Sequence, residues 1–345
     1  AMKGHIPTGF GQFDRPLAWD GFADDGRYTR AVASIVRDKG PWQLGSLGGG
    51  NHFIELCREA DVERTAARTW LIIHSGSRGA GGLIAAHHIA IARNLAPRLD
   101  RPAPRDLWPL PLDRPEGQDY LTDMRWALAY AAENRRRMRD AFADVLARLL
   151  RRHLRRELAY DPAEAINIGH NYAAPEPVGG ETRWIHRKGA TFAGEGAVGI
   201  IPGSMATGSY IVRGRGNPEA FSSCSHGAGR VMSRGQAARA ITPESFARAM
   251  AGIVAETTRD FLDEAPHAYK DLDTVLHNQA DLVTPIRRLL PLLNIKGAGQ
   301  WRRATPVAAT GRIAPARKDR TRDKNDPVQR RRLAHHPHQR HLPAH

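Results

Sequence analysis

Cysteine is almost missing: the 345 residues include only Cys57 and Cys224. Two thiols cannot form the set of bridges that holds small secreted domains together, so a reducing, cytoplasmic setting is the expectation. Nowhere do 18 apolar residues run together, which argues against a transmembrane helix and a membrane partner. The opening "AMKGHIPTGFGQ" has no apolar stretch of the secretory type. No segment repeats. No glycine-rich loop ends in the Lys-Ser/Thr of a Walker motif, and none has the dinucleotide fingerprint after a first strand.

Acidic residues are also in deficit. Lys and Arg number 51 against 36 Asp and Glu, a formal charge of +15. Such an excess points to a polyanionic partner, but it is unevenly spread. Residues 298–345 hold 12 Lys and Arg against 3 acids, leaving only +6 for the first 297 residues. The placement of individual arginines therefore says more than the total. The segment 298–345, with "RRRLAHHPHQRHLPAH", lacks apolar periodicity and reads as a disordered basic tail. Its histidines could bind metal, but a solvated tract is the simpler reading.

Length and 41% apolar residues suit one large domain over residues 1–297 or two ordinary ones. "TRAVASIVRD" and "GGLIAAHHIAIARNLA" read as helices, and "LGSLGGGNHFIEL" as a glycine-rich loop entering a strand. "TWLIIHSGSRG" reads as a short strand ending in a loop. Residues 100–118 form a Pro-rich insertion, followed by a long helix over about 119–158. "AINIGHNYAAPE", "TRWIHRKGAT", "AVGIIPGS" and "SYIVRG" read as strands between Gly and Pro punctuation. "PESFARAMAGIVAETTRDFLDEA" predicts a helix capped by Thr242, and "DTVLHNQADLVTPIRRLLPLL" predicts a mostly helical segment. Strands and helices mix without regular alternation, which favours α+β with a mixed or antiparallel core flanked by helices.

The long helix has an apolar seam at Leu121, Met124, Leu128, Ala131, Met138, Phe142, Val145 and Leu149. The spacing calls for one more member, which falls at Arg135. An arginine there meets a carboxylate, snorkels, or contacts a phosphate.

His52, His74, His170 and His226 share a setting. Each stands at a strand end among Gly, Ser or Asn. One such histidine would be structural; four in the same setting suggest convergence on a divalent metal. His87, His88, His153, His267 and His277 fall in helical stretches and carry no such signal. "HSGSRGAGG", "IPGSMATGS" and "SHGAGR" could bring backbone N–H groups close to an anion. Singly these are weak signals.

In chain order, "LGSLGGGNHFIEL", "HSGSRG", "HNYAAPE", "RKGA", "IIPGSM", "SCSHGAGRVMSR", "APHAYKDLD" and Lys296–Gly297 resemble the RNA-splicing ligase RtcB family across residues 1–297. The resemblance implies an RtcB-like fold. It also implies an enzyme that joins an RNA 3′-phosphate, or a 2′,3′-cyclic phosphate opened first, to a 5′-hydroxyl using GTP and two Mn²⁺ ions. Such enzymes serve tRNA splicing and RNA repair. His226 would be the nucleophile that becomes guanylylated. His52, His74 and His170 would be metal ligands. Guanylate contacts would fall on Asn51, Phe53, Glu55, His170, Asn171, Pro202, Gly203, Ser204, Met205, Ser209, Gly227, Ala228, Gly229, Tyr269 and Lys296. Arg78, Arg135, Arg230 and Arg234 would meet RNA phosphates, and a helper protein of the archease type would be a partner.

Arg230 and Arg234 lie four apart, so a helix after His226 would put both on one face beside the nucleophile; pairing with surface carboxylates is the alternative. The family's Asp-x-Gly-Cys segment, which supplies two further ligands, is not found, and neither Cys57 nor Cys224 stands in its context. The expectation is an N-terminally incomplete ligase that binds Mn²⁺ poorly. Two other readings stay open: an inactive RNA- or nucleotide-binding remnant, and a metal-dependent phosphoesterase that forms no His226 adduct.

Overall fold

A computed structural model describes residues 2–63, 67–99 and 107–297 of the chain, all within one compact unit. The tail expected over 298–345 and the start of the Pro-rich insertion lie outside the described residues. The strands are β1 (Phe53–Glu59), β2 (Thr69–His74), β3 (Asn171–Val178), β4 (Glu181–Lys188), β5 (Ala190–Phe192), β6 (Val198–Pro202), β7 (Ser209–Gly214), β8 (Ser223–Ser225) and β9 (Val283–Lys296). The helices are α1 (Ala33–Gln43), α2 (Arg78–Leu95), α3 (Pro115–Leu154), α4 (Arg234–Ala240), α5 (Pro243–Ala249) and α6 (Leu272–His277). The fold is α+β, as expected. A five-stranded sheet in the order β2-β1-β9-β7-β6 is accompanied by the pairs β3–β4 and β5–β8, and the pairings between these strands are antiparallel.

The central strand corrects the sequence reading. Most of the segment expected to be helical is β9, and only α6 at its start is a helix. Pro285 and Pro291 explain the outcome. Inside a helix each would remove a hydrogen bond and clash with the preceding turn. In the sheet each sits beside a register shift. Leu292 is the extra residue between Leu293, opposite Leu56, and Pro291, opposite Cys57. Ile286 is the extra residue between Arg287, opposite Ile211, and Pro285, opposite Val212. Bulges are where a strand tolerates proline. Between them Leu289 is fully buried and pairs with Glu59 on one side and Ser209 on the other.

A second correction concerns residues 243–265. The Thr242 hydroxyl accepts from the Ser245 N–H at 3.1 Å, so the cap is where the sequence put it. The helix nevertheless ends at Ala249, and Gly252 takes a left-handed φ of +82°. A 3-10 turn over Arg259–Glu264 follows.

The long helix runs 40 residues and stops at Arg155, whose φ of 51° is left-handed. Its seam is as expected at Leu121, Ala131, Met138, Phe142 and Val145, whereas Leu149 is exposed. The polar member of the seam is Asn134, not Arg135. Asn134 is fully buried, accepts from Gly45 N and Ser46 N, and donates to Ser46 O, Ser75 Oγ and Gly76 O. A neutral amide can satisfy itself there without the desolvation cost of a guanidinium. Arg135 lies at the seam's edge.

Candidate functional site

The four histidines do converge. His52 ends the loop before β1, His74 closes β2, His170 immediately precedes β3, and His226 immediately follows β8. His74 Nε2 faces His170 Nε2 at 3.1 Å. Ring centroids lie 5.9 Å apart for His52 and His74, 4.8 Å for His170 and His226, and 6.5 Å for His74 and His226. His52 Nδ1 is held by the Leu47 carbonyl at 2.8 Å, which leaves Nε2 free to face the cluster. Among the described residues no three His, Cys, Asp or Glu side chains are disposed to hold one ion. The closest approach is the His74–His170 pair.

Burial keeps these imidazoles neutral. It pushes His52 down to about 4, holds His74 well below the ordinary range, and lowers His170 and His226. Neighbouring imidazoles add to the effect for His74 and His170. A neutral imidazole carries a lone pair for a metal or for an electrophile. The Nδ1 atom of His170 is buried with no hydrogen-bond partner.

Sheet register sets the neighbouring residues. Phe53 pairs with His74 in β2 and with Lys296 in β9, so the three form one row. The Phe53 ring meets His74 edge-on at 5.4 Å, and Lys296 Nζ lies 5.5 Å from its centroid. Two residues along, Glu55 pairs with Asn294. Glu55 is buried, accepting from Asn294 Nδ2 at 2.7 Å and from the Cys57 thiol at 3.1 Å. Burial outweighs those bonds and raises its carboxyl to about 7. Burial and the Glu55 charge push the Cys57 thiol far up, so it is inert.

The two glycine-rich loops touch. The Pro202 carbonyl accepts from Ala228 N at 2.9 Å, joining the Pro202–Met205 turn to the Gly227–Gly229 turn after His226. A Cβ on Gly227 would fall 3.1 Å from that carbonyl, and one on Gly189 would fall 3.5 Å from His226. Ser204 closes the first turn through Thr207, and Gly203 N bonds Gly208 O. Ser209 Oγ is buried without a partner. Asn51 is exposed beside His52, and the Asn171 amide oxygen accepts from Gly189 N at 3.3 Å.

The arginines differ from expectation. The stretch after His226 is not helical. Arg230 makes an isolated bridge with Tyr269, and α4 begins only at Arg234, capped by Ser233. The i,i+4 relation is therefore absent, because Ser233 and Gln236 form a capping box that starts the helix late. Both guanidiniums still converge, on carboxylates. Arg234 pairs with Glu264 and, at 2.5 Å, with Asp263. Arg230 reaches Glu264 at 3.4 Å and lies 5.0 Å from the Tyr269 ring centroid. Glu264 also takes Lys296 Nζ at 2.5 Å and the Tyr269 hydroxyl at 2.7 Å. Burial alone would raise the Glu264 carboxyl; Lys296 and Arg234 outweigh it and hold it low.

Arg78 donates to Ser46 Oγ and Gly9 O, and burial lowers its pKa. Arg135 donates to Asn167 Oδ1 at 2.8 Å and Ser75 O at 3.0 Å, neither of them a carboxylate. Both anchors flank the histidine pair, Ser75 next to His74 and Asn167 three before His170.

Three supporting residues escape the sequence reading. Glu264 is the hub just described; its signal is the acid pair ahead of "APHAYKDLD". Asn134 pins the Ser46 and Ser75 loops. Arg187 is buried, pairs with Glu176, and donates to Ser223 Oγ and Phe221 O, tying the β3–β4 hairpin to the strand that presents His226.

Residues 13–297 match the family described as RtcB, tRNA-splicing ligase RtcB. The chain is 40% identical over 255 residues to the RNA-splicing ligase RtcB of Escherichia coli strain K12, covering 74% of this chain and 61% of that protein. It is 36% identical over 316 residues to the RNA-splicing ligase RtcB of Mycobacterium tuberculosis strain H37Rv, with 79% and 70% covered. It is 32% identical over 332 residues to the tRNA-splicing ligase RtcB of Pyrococcus horikoshii, with 86% and 38% covered. The chain thus spans about three fifths of the Escherichia coli relative's length. The expectation of a missing Asp-x-Gly-Cys segment is not borne out by these comparisons.

Proposed function

The chain belongs to the RtcB family, and from that premise we propose that it is a GTP-dependent RNA ligase whose nucleophile is His226. The observation that carries the reading is a neutral imidazole set between the histidine pair and two linked glycine-rich turns. His226 would attack the α-phosphorus of GTP, forming an N–P bond as the α–β anhydride breaks and pyrophosphate leaves. An RNA 3′-phosphate oxygen would then take the guanylate, releasing the imidazole. The 5′-hydroxyl oxygen, giving up its proton, would attack the RNA's 3′-phosphorus, forming the phosphodiester as the anhydride bond to the guanylate breaks and GMP leaves. Positioning dominates phosphoryl transfer, and the small residues around His226 leave its approach clear.

The residues fit a divalent transition metal. The His74–His170 nitrogen separation of 3.1 Å suits two imidazoles sharing one ion at roughly 2.0–2.2 Å each. A bound Mn²⁺ would supply charge neutralisation for the phosphates. His52 would face a second ion. Phe53, Glu55 and Lys296 would receive the guanylate, with Glu264 fixing the Lys296 ammonium. A substrate RNA ending in a 3′-phosphate, and a helper protein of the archease type, belong to the same reading.

Labelled GTP with Mn²⁺ tests it. The protein is expected to acquire acid-labile label on His226, and His226→Ala to abolish it. Full labelling of that variant would overturn the assignment; phosphate release with no adduct in the parent would favour a phosphoesterase.

A further inference from the structure

The far end of α3 changes character within a few residues. Over residues 136–139 its arginines are neutralised: Arg136 and Arg137 pair with Glu133, and Arg136 and Arg139 with Asp140. Beyond that, residues 148–156 hold Arg148, Arg151, Arg152, Arg155 and Arg156 with no acid among them. The carboxylates within a turn are Asp144 and Glu157, and the one contact either makes to this group is Arg151 to Glu157 at 3.8 Å. Among the described residues no carboxylate pairs with Arg148, Arg152, Arg155 or Arg156. Five cations in nine residues nearly equal the whole +6 excess of residues 1–297.

A solvated helix end explains this only in part. The helix dipole favours cations in the last turn alone, and Arg148 lies before it. Spacings of three and four put Arg148, Arg151 and Arg152 on one face, and Arg155 follows as the cap of the helix. Arg155 also occupies the left-handed position that normally goes to glycine or asparagine. A bulky cation is kept there although it strains the backbone by about 1–2 kcal/mol.

The patch is tied to the site. From Arg135, which bonds Ser75 beside His74, the helix rises about 30 Å to Arg155 at 1.5 Å per residue. The chain then returns through exposed residues, with Tyr160 and Ile166 uncovered, straight to His170. We propose that residues 148–156 form a docking surface for the phosphates of the RNA strand, about 30 Å from the ends being joined. The inference rests on the ligase reading for its choice of polyanion.

The test is RNA binding by the full chain without GTP. Arg151, Arg152, Arg155 and Arg156 are changed together to Gln. The probes are a single-stranded RNA of about 20 nucleotides, long enough to span the distance at roughly 3.4 Å or more per nucleotide, and a trinucleotide. The long RNA is expected to bind about tenfold more weakly to the variant, with its log–log salt slope shallower by about 0.7 for each phosphate no longer neutralised. Trinucleotide binding, His226 guanylylation and melting temperature are expected to stay unchanged. Equal long-RNA binding by parent and variant, or no RNA binding by the parent, would overturn the proposal. So would loss confined to phosphatidylserine vesicles, which would assign the patch to a membrane surface. Failure of His226 to label would instead remove the ligase reading and leave the difference in RNA binding standing.

Discussion

Glu55 shows how one residue can be legible as a site member yet not in its state. The family motif match in "NHFIEL" marks it, but only the fold shows that Asn294 and Cys57 enclose it. With a carboxyl raised from the usual 4.5 to about 7, Glu55 is protonated in the fold at low pH. Its contribution to stability is complete below pH 4.5 and is lost as pH rises through 7, a cost on the order of 3 kcal/mol by pH 8. The depressed histidines slope the other way, losing stability as pH falls below 6.5. The parent's profile therefore mixes both, and the difference between parent and Glu55→Gln isolates the carboxyl. Urea unfolding at pH 5 and pH 8 is expected to show the variant gaining on the parent at the higher pH; a constant difference would show that Glu55 is ionised throughout. Asn134 is hidden for the opposite reason. A polar residue beside Arg135 in a helical seam carries no periodicity signal, since its value lies in hydrogen bonds to two distant loops. Asn134→Ala leaves the Gly45 N–H unpaired, takes from the Ser46 N–H one of its two acceptors, and is expected to cost about 2–4 kcal/mol in chemical denaturation.

Elements are readable where periodicity and punctuation agree. The long helix falls within a few residues of expectation at each end, and β1, β2, β6 and β7 lie where short apolar runs meet Gly or Pro. β9 is misread because "LLPLLNI" satisfies any apolar template, and its partners β1 and β7 lie 69 or more residues away. The two prolines are the available warning. The α5 segment is misread because the helix-breaking role of Gly252 depends on its left-handed φ. Two glycines with the same φ of +82° offer a controlled test of what each position needs. A Cβ on Gly252 meets nothing within 4 Å, so Gly252→Ala is expected to cost only about 1–2 kcal/mol of backbone strain. A Cβ on Gly208 would lie 2.0 Å from the Leu289 carbonyl oxygen. Gly208→Ala must therefore push β7 away from β9, and is expected to lose well over about 3 kcal/mol in thermal or urea unfolding. Comparable losses in the two variants would show that β7 can move off β9 at little cost.

At the scale of the whole molecule, the site belongs to no single element. His52 comes from the loop before β1, Phe53 from the start of β1, His74 from β2, His170 from the return after α3, His226 from the turn after β8 and Lys296 from the end of β9. A divalent ion held by His74 and His170 would therefore bridge the sheet to the segment that α3 sends back. Binding that is confined to the folded state stabilises it by RT ln(1 + [L]/Kd), about 2.7 kcal/mol at a hundredfold excess over Kd. Mn²⁺ is accordingly expected to raise the melting temperature in a saturable way, whereas Mg²⁺, which favours oxygen ligands, is expected to do so less. His170→Ala is the sharper variant, because His170 is less buried than His74 and its loss disturbs the core less. In that variant the melting temperature without metal is expected to stay near the parent's, while the Mn²⁺-dependent increment disappears. An increment that survives His170→Ala but vanishes in His52→Ala would move the ion to the other side of His74. An equal increment from Mg²⁺ in all three proteins would show general screening of charge in place of imidazole coordination.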